Sequence, residues 1–193
     1  MSAPVPSVPA AAVDSAAAPA GDVGAAPAVD VVAAPAVDAP GPAAGRLLVA
    51  GVGNVLRGDD GFGPAVTERL GHLPAGVEVI ETGIGGIALL QELMAGCDGL
   101  VLIDAVDRGA APGTIFLLEP DVPEGKHVPD VHLANPDRVL TMAKTIGVLP
   151  DRVRIVGCQP KSVDDLCEHL SPEVERALDL AVTRVEETVN AWL

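Results

Sequence analysis

The sequence predicts an α/β sandwich built on a mostly parallel β-sheet. Short runs rich in leucine and β-branched residues alternate with segments whose apolar residues recur at helical spacing. Strands that alternate with helices are typical of a parallel sheet covered by helices. One connection between two predicted strands is too short for a parallel crossover, which indicates a single antiparallel strand.

Four apolar runs are predicted as strands that are buried on both faces or nearly so. Such strands form continuous apolar stretches because helices cover both faces of a parallel sheet. The four runs are "RLLVAGV" (46–52), "VEVIETG" (77–83), "GLVLIDAV" (99–106) and "RVRIVGC" (152–158).

A fifth run, "TIFLLE" (114–119), is also predicted as a strand. Only about eight residues separate it from the preceding strand, whereas a parallel crossover needs a dozen or more. We therefore expect this strand to run antiparallel, at an edge of the five-stranded sheet.

Four helical patterns complete the fold. Pro64 is predicted to open the first helix at its N1 position, and Asn135 with Pro136 forms an N-cap and N1 pair for the third. The predicted buried faces are Val66, Leu70 and Leu73 in the first helix, Ile87, Leu90 and Met94 in the second, and Val139, Ala143 and Ile146 in the third. The last helix runs from Ser171 and Pro172 to Trp192 and buries Val174, Leu178, Ala181, Val182, Val185 and Val189.

The chain divides into a disordered arm over residues 1–45 and one domain over 46–193. The arm contains eight prolines, repeats the phrase "AAPAVD" at 25–30 and 33–38, and holds no leucine, isoleucine or aromatic residue that could anchor a core. A secretory signal is disfavoured because no Lys or Arg precedes Arg46 and no uninterrupted apolar region follows. A transmembrane span is disfavoured because no stretch reaches about 18 apolar residues free of proline and charge.

Composition narrows the classes of partner. The formal net charge of −15 argues against nucleic acid and anionic membranes, since both are bound by clustered Lys and Arg. Three cysteines form no CxxC pair, which suggests neither a disulfide framework nor a zinc knuckle and fits a reducing cytoplasm.

The stretch "GVGNVLRGDDGFG" (51–63) places two acids, Asp59 and Asp60, directly after the first strand. Another acid, Asp104, ends the third strand. In open α/β sheets the ligand lies beyond the carboxyl ends of the strands where the winding reverses, so a 2-1-3 strand order brings these carboxylates to one crevice. A turn with an Asx hydrogen bond, and an acid that only caps a turn, remain the alternative interpretations.

Two other site classes fit poorly. "GVGNVL" begins like a dinucleotide-binding loop, but Leu56 occupies the third glycine position and acids follow where a phosphate would need donors. A hydrolase of the G-x-S-x-G type is not indicated, and Cys158 in "VGCQP" is better explained as a small core residue.

Five spaced blocks resemble the hydrogenase maturation endopeptidases, and the resemblance runs from about Arg46 to the C-terminus. The blocks are "LLVAGVGNVLRGDDGFG", "ETGIGGIALL", "VLIDAVDRGAAPGT", "DVHLANP" and "VGCQP". The resemblance implies a flavodoxin-like three-layer sandwich. It also implies an aspartyl-type endopeptidase that trims the C-terminal extension from the large-subunit precursor of a [NiFe] hydrogenase after nickel insertion.

The resemblance carries the family's metal-sensing residues onto Asp60, Asp104 and His132. Glu is more usual at the first of these positions, and Asp59 is the fallback there. Two carboxylates and one imidazole suit a divalent transition metal with open coordination positions. The implied metal is nickel supplied by the substrate, with no permanent cofactor, and the loop glycines are expected to let the backbone approach that partner closely.

The mechanism and the surrounding contacts stay open at this point. The metal could polarise the scissile carbonyl or activate water, and Asp60 with Asp104 could act as the general base. Weaker candidates for substrate contact are Asn54, Thr82, Gly83, Gly85, Gln159 and Lys161. A nickel-checking chaperone that binds the precursor without cutting it is the alternative function.

Overall fold

The computed structural model describes residues 45–83, 86–122, 136–164 and 166–193. The strands are β1 (Leu47–Val52), β2 (Val77–Gly83), β3 (Gly99–Ala105), β4 (Ile115–Leu118) and β5 (Arg152–Cys158). The helices are α1 (Phe62–Arg69), α2 (Gly86–Met94), α3 (Pro136–Thr145), α4 (Pro172–Glu175) and α5 (Leu178–Trp192). A short 3₁₀ helix, Gly58–Gly61, leads directly into α1.

The five strands form one sheet in the order β2-β1-β3-β5-β4. Pairing is parallel between β1 and β2, β1 and β3, and β3 and β5, whereas β4 is antiparallel to β5. The predicted antiparallel edge strand is therefore confirmed, and the 2-1-3 order, on which the convergence of the carboxylates depends, is present. Strand β4 pairs with β5 and not with β3. Residues 106–114 therefore cross only the end of β5, and this connection spans about two strand spacings.

Helices cover both faces of the sheet and bury two apolar layers, which makes the fold a three-layer sandwich. Alternate residues of a strand point to opposite faces, so Val49 and Leu48 belong to different layers. On one face the strands pack against buried residues of α1, α4 and α5, namely Phe62, Val66, Val174, Leu178, Ala181, Val185 and Val189. On the other face they pack against Leu89, Leu93, Val139, Leu140 and Ala143 of α2 and α3.

Two predicted helix details are wrong in the first half of the domain. Helix α1 begins at Phe62, two residues before Pro64, because the 3₁₀ helix continues directly into the α-helix. In α2 the buried residues are Leu89 and Leu93, whereas Ile87 and Met94 of the predicted face are about half exposed. The sequence "GIALLQELM" offers two neighbouring apolar stripes, and only packing against the sheet selects one of them.

The second half shows three further differences in detail. Ile146 lies beyond the end of α3 and is 45% exposed, and Leu140 takes the buried position instead. The last helix is divided by a turn at residues 176–177 into α4 and α5, although its predicted apolar face is largely retained. The predicted cap Asn135 lies outside the described residues.

In the part of the chain that the structure describes, no helix combines the length and apolarity needed to cross a bilayer.

Candidate functional site

The loop after β1 folds tightly against the start of α1 because of two glycines. Gly53 has φ of +138°, and a side chain there would overlap the carbonyl oxygen of Asp60. A Cβ atom on Gly63 would overlap the Val52 carbonyl oxygen and lie 2.5 Å from that of Ile103. These glycines therefore permit a close approach within the chain itself, and they bring Asp60 to the carboxyl end of the central strands.

The adjacent acids Asp59 and Asp60 have different roles in this loop. Asp59 is 2% exposed, and its carboxylate accepts hydrogen bonds from backbone N–H groups and one hydroxyl of the chain segment after β5. The donors are Ser171 N at 2.6 Å, Lys161 N at 2.7 Å, Ser171 Oγ at 2.9 Å and Ser162 N at 3.4 Å. Four donors compensate this buried charge without a basic side chain, so Asp59 is a structural link.

Asp60 instead turns toward the crevice at the end of the sheet. Its Oδ2 accepts one hydrogen bond, from the backbone N–H of Asn54 at 3.0 Å, and the residue is only partly buried. Among the described residues, Asp60 lines the large cavity at this edge and Asp59 does not. The structure thus places Asp60, and not the fallback Asp59, beside the end of β3.

Asp104 occupies the end of β3 and lines the same cavity. The pKa of its carboxyl group is raised to about 8, chiefly by burial and to a smaller extent by the nearby Asp60 and Asp137 carboxylates. A hydrogen bond with the Ala105 backbone opposes this shift. In the absence of a cation, Asp104 is therefore mostly protonated at neutral pH, and a bound cation would stabilise the charged form of both carboxylates.

The cavity has a volume of about 1020 Å³ and is lined by both acidic and apolar side chains. Its apolar lining includes Leu102, Leu118, Leu140 and Ile155. Its charged lining residues are Asp60, Asp104, Asp107, Arg108, Glu119, Asp121 and Asp137. Of these, Arg108 lies 5.9 Å from the centre of the Phe116 ring and Glu119 pairs with Arg154. The excess of carboxylates suits a cationic ligand better than an anionic one.

Four lining acids, Asp107, Glu119, Asp121 and Asp137, were not among the sequence-based candidates. Asp107 follows the end of β3 and accepts hydrogen bonds from Gly109 N and from the side chain of Gln159, which lower its pKa. Asp137 lies in the first turn of α3. The position of Asp107 just beyond a strand end could have marked it as a candidate from the sequence. Asp137 could not be found in this way, because the approach of α3 to the cavity depends on tertiary packing.

The third predicted metal ligand, His132, lies outside the described residues, as does the candidate contact Gly85. Val122 and Asp137, near the two ends of the undescribed range 123–135, both line the cavity. Within the described ranges, no three His, Cys, Asp or Glu side chains form a group that could hold a metal ion. The role of His132 stays a prediction.

Three of the weaker candidate contacts serve the loops around β1 and β2. Asn54 accepts a hydrogen bond from Leu56 N through Oδ1 at 3.0 Å, which shapes an Asx turn. Thr82 is buried and donates its hydroxyl to the Gly51 carbonyl at 3.2 Å. Gly83, with φ of +55°, accepts a hydrogen bond from Gly53 N.

The other two, Gln159 and Lys161, organise the segments beside β5. Gln159 is 5% exposed and accepts hydrogen bonds from the backbone N–H groups of Arg108 and Ala110. Lys161 pairs with Glu173 at 3.1 Å. None of the five described candidates lines the cavity, so a direct contact of these residues with substrate stays a prediction.

Cys158 is unsuited to nucleophilic catalysis in this structure. It is fully buried at the end of β5, and its thiol contacts the Gln159 carbonyl. Burial, with a smaller contribution from Asp59, raises the pKa of this thiol to about 12. Because the thiolate is the reactive form, Cys158 is a core residue, as the sequence analysis favoured.

The fold and cavity define a class: an α/β protein with a paired carboxylate site at the switch point of its sheet. The model of the family described as hydrogenase maturation protease matches residues 65–188. The chain belongs to the hydrogenase maturation protease family, which confirms the resemblance, the fold class and the assignment as a peptidase. The matched range includes Asp104 and His132 but begins after Asp60.

Sequence relatives and solved structures agree with this membership. The chain is 35% identical over 153 residues to the hydrogenase expression/formation protein HupD of Rhodobacter capsulatus, covering 76% of this chain and 72% of that protein. The hydrogenase maturating endopeptidase HybD from E. coli superposes with a TM-score of 0.61 at 30% identity, covering 76% of this chain and 93% of HybD. A hydrogenase 2 maturation peptidase from a Thaumarchaeota archaeon gives a TM-score of 0.58 at 34% identity, covering 75% and 98% of the two chains.

Proposed function

We propose that this protein is an endopeptidase that removes the C-terminal extension from the large-subunit precursor of a [NiFe] hydrogenase after nickel has been inserted. The observation that carries the proposal is the pair Asp60 and Asp104, which meet at one acidic cavity in a chain of this family. Hydrolysis of a peptide bond needs a base for the attacking water and a stabiliser for the developing charge. A carboxylate pair with a cation supplies both.

The metal in this proposal is nickel brought by the substrate, and Asp60, Asp104 and His132 are its ligands on the protease. The raised pKa of Asp104, about 8, supports this assignment because it marks a carboxyl group whose charge lacks compensation within the protein. Three such ligands, without a cysteine, make an incomplete cage for a soft transition metal. Binding therefore gains its remaining ligands from the precursor, and no permanent cofactor is required.

The chemistry at the carboxylate pair has two forms. In one, Asp60, or Asp104 once a bound cation stabilises its charged form, takes a proton from water as the water oxygen bonds to the scissile carbonyl carbon, and the proton passes to the leaving amine as the C–N bond breaks. In the other, Asp60 and Asp104 would hold the substrate's metal, which would polarise that carbonyl, and the proton of the attacking water would pass to the leaving amine as the C–N bond breaks. Either form is an aspartyl-dependent hydrolysis that consumes one water.

The setting of this reaction is proposed to be the cytoplasm, with the precursor as the partner. The three cysteines are unpaired, which fits a reducing compartment. The net charge of −15 disfavours a nucleic-acid or anionic membrane partner.

Three precursor samples test the proposal: metal-free, nickel-loaded, and metal-free with enzyme that was soaked in nickel and desalted. Mass spectrometry of the released C-terminal peptide is the readout. We expect rapid cleavage of the nickel-loaded precursor alone, because metal that bridges the partners adds its affinity only to that complex. Rapid cleavage of metal-free precursor in chelator would refute metal sensing, and binding without any released peptide would favour the chaperone.

The ligand role of His132 is tested by His132→Ala, with His72→Ala as the matched control at an exposed position. We expect His132→Ala to abolish release of the peptide and His72→Ala to retain it. Retained cleavage in both variants would remove His132 from the site.

A further inference from the structure

A second cavity lies next to the acidic cavity and shares a wall with it. Its volume is about 600 Å³, which falls within the usual range of ligand sites. The shared wall is the segment that follows β4, and its members line both cavities: Glu119, Pro120, Asp121 and Val122. The two cavities therefore meet along this segment.

Helix α3 also contributes to both cavities. Asp137, Leu140 and Thr141 line the acidic cavity, and Lys144 lines the second cavity. These positions are spaced i, i+3, i+4 and i+7, so they lie on one face of the helix. With a rise of about 1.5 Å per residue, this face extends over about 10 Å from one cavity to the next. Three or four residues of an extended peptide cover that distance.

Basic residues of the second cavity hold the shared wall in place. Arg154 pairs with Glu119, and the ammonium group of Lys144 donates a hydrogen bond to the Val122 carbonyl oxygen. A ligand that contacts these basic side chains consequently lies directly beside the wall of the acidic cavity.

The two cavities differ in charge. Among the described residues, six acids and one basic residue, Arg108, line the acidic cavity. The described lining of the second cavity holds three acids and three basic residues, namely Glu119, Asp121, Asp151, Lys144, Arg152 and Arg154. A carboxylate is repelled by the first set and is better accommodated by the second. The order of charge along the two cavities therefore suits a peptide that carries a carboxylate away from the scissile bond.

Arg152, at the start of β5, is the residue of the second cavity best suited to bind a carboxylate. Its Nε donates to the Asp98 carbonyl oxygen at 3.2 Å, and its Nη1 donates to the Trp192 carbonyl oxygen at 2.8 Å. Its guanidinium carbon lies 5.5 Å from the centre of the Trp192 ring. These partners are neutral, so they fix the guanidinium group without cancelling its charge. A group fixed in this way forms charge-assisted hydrogen bonds to a carboxylate at little further cost in side-chain entropy.

We propose that the second cavity binds the C-terminal extension of the precursor, with a carboxylate of the extension at Arg152. This inference rests on the proposed function, which places the scissile bond in the acidic cavity. The extension ends in a free terminus, so it can lie in a concave surface that excludes the folded body of the substrate. The carboxylate is either that of the C-terminus or that of an acidic side chain.

Fluorescence of Trp192 tests this proposal directly. Trp192 is the only tryptophan of the chain and lines the second cavity. Metal-free full-length protein is titrated with a synthetic, tryptophan-free peptide of the extension, and we expect a saturable change in emission. Arg152→Gln should raise the Kd of the peptide about tenfold, which corresponds to about 1.4 kcal/mol. The matched control Arg184→Gln removes an exposed arginine of α5 that pairs with Glu187 and lines neither cavity, and it should match the wild type.

Two modified peptides distinguish the sources of the carboxylate. One carries an amide at its C-terminus, and the other carries Gln and Asn in place of its acidic side chains. We expect one of them to bind the wild type as weakly as the unmodified peptide binds Arg152→Gln. Equal binding of all three peptides to the wild type would overturn carboxylate recognition, even if Arg152→Gln fails to fold. Unchanged Trp192 emission at millimolar peptide would overturn the site itself.

The titration needs neither nickel nor cleavage, so its result is independent of the proposed function. If the wild type releases no peptide from nickel-loaded precursor, the proposed function fails while the binding site is still decided by fluorescence. Where cleavage occurs, Arg152→Gln should raise KM for the precursor and leave kcat unchanged. A loss confined to kcat would contradict a role in binding the extension.

Discussion

Replacing Asp104 by asparagine should abolish cleavage and make the metal-free protein more stable. The residue is partly buried, and the pKa of its carboxyl group rises from 3.8 in the unfolded chain to about 8 in the folded protein. Below pH 3.8 both states bind the proton and Asp104 costs nothing. Between 3.8 and 8 the unfolded state ionises while the folded state does not, so stability falls as pH rises, and the loss is complete above 8.

The size of this effect follows from that pH window. Between pH 5 and pH 8 the loss corresponds to about 4 kcal/mol, at about 1.36 kcal/mol for each pH unit. The cavity admits solvent, so we take about half of this value, roughly 2 kcal/mol, as the expected difference. Asparagine keeps the shape of the side chain and does not ionise, so Asp104→Asn should lose this pH dependence.

Urea unfolding at pH 5 and pH 8 in the presence of chelator measures the difference between the wild type and Asp104→Asn. The variant Asp60→Asn is the matched control, because it removes the neighbouring charge and leaves the burial of Asp104 unchanged. It should give an intermediate pH dependence, since burial is the larger cause of the shift. Wild-type and Asp104→Asn stabilities that change in parallel with pH would refute the reasoning.

Three further predictions concern the first loop and the N-terminal arm. Asp59→Asn should lower the free energy of unfolding by about 3 kcal/mol because it leaves buried donors unpaired. Asp60→Asn should lower it by less than about 1 kcal/mol and abolish cleavage. Equal melting temperatures for the two variants would contradict the structural role of Asp59. Gly63→Ala should destabilise the protein by about 3 kcal/mol through overlap with two backbone carbonyls, while Gly71→Ala, with nothing within 4 Å of the added Cβ, should change stability by no more than about 1 kcal/mol in chemical denaturation. Deleting residues 1–45 should leave both the melting temperature and the cleavage rate nearly unchanged, because this stretch lacks core-forming side chains; a large drop in melting temperature would show that it packs on the domain.

Local patterns in the sequence were sufficient for the strands and the antiparallel edge strand, whereas the strand order came from the structure. The length of an apolar run, the spacing of apolar residues and the number of residues in a connection can all be counted within short stretches of the sequence. The buried face of α2 was not predictable in this way, because Leu89 and Leu93 compete with an adjacent stripe of similar apolarity. Packing against the sheet decided between them.

The site residues were also predicted in part from the sequence and in part only from the structure. The sequence by itself determined that Asp60 follows β1 and that Asp104 lies at the end of β3, since the ends of apolar runs can be located in the sequence. Only the tertiary structure decided that Asp59 is a structural link and Asp60 a wall of the cavity. The donors to Asp59 lie 102–112 residues away along the chain, and no local pattern specifies which of two neighbouring carboxylates will meet them. The pKa of Asp104 was equally inaccessible, because it depends on burial and on charges that folding brings together.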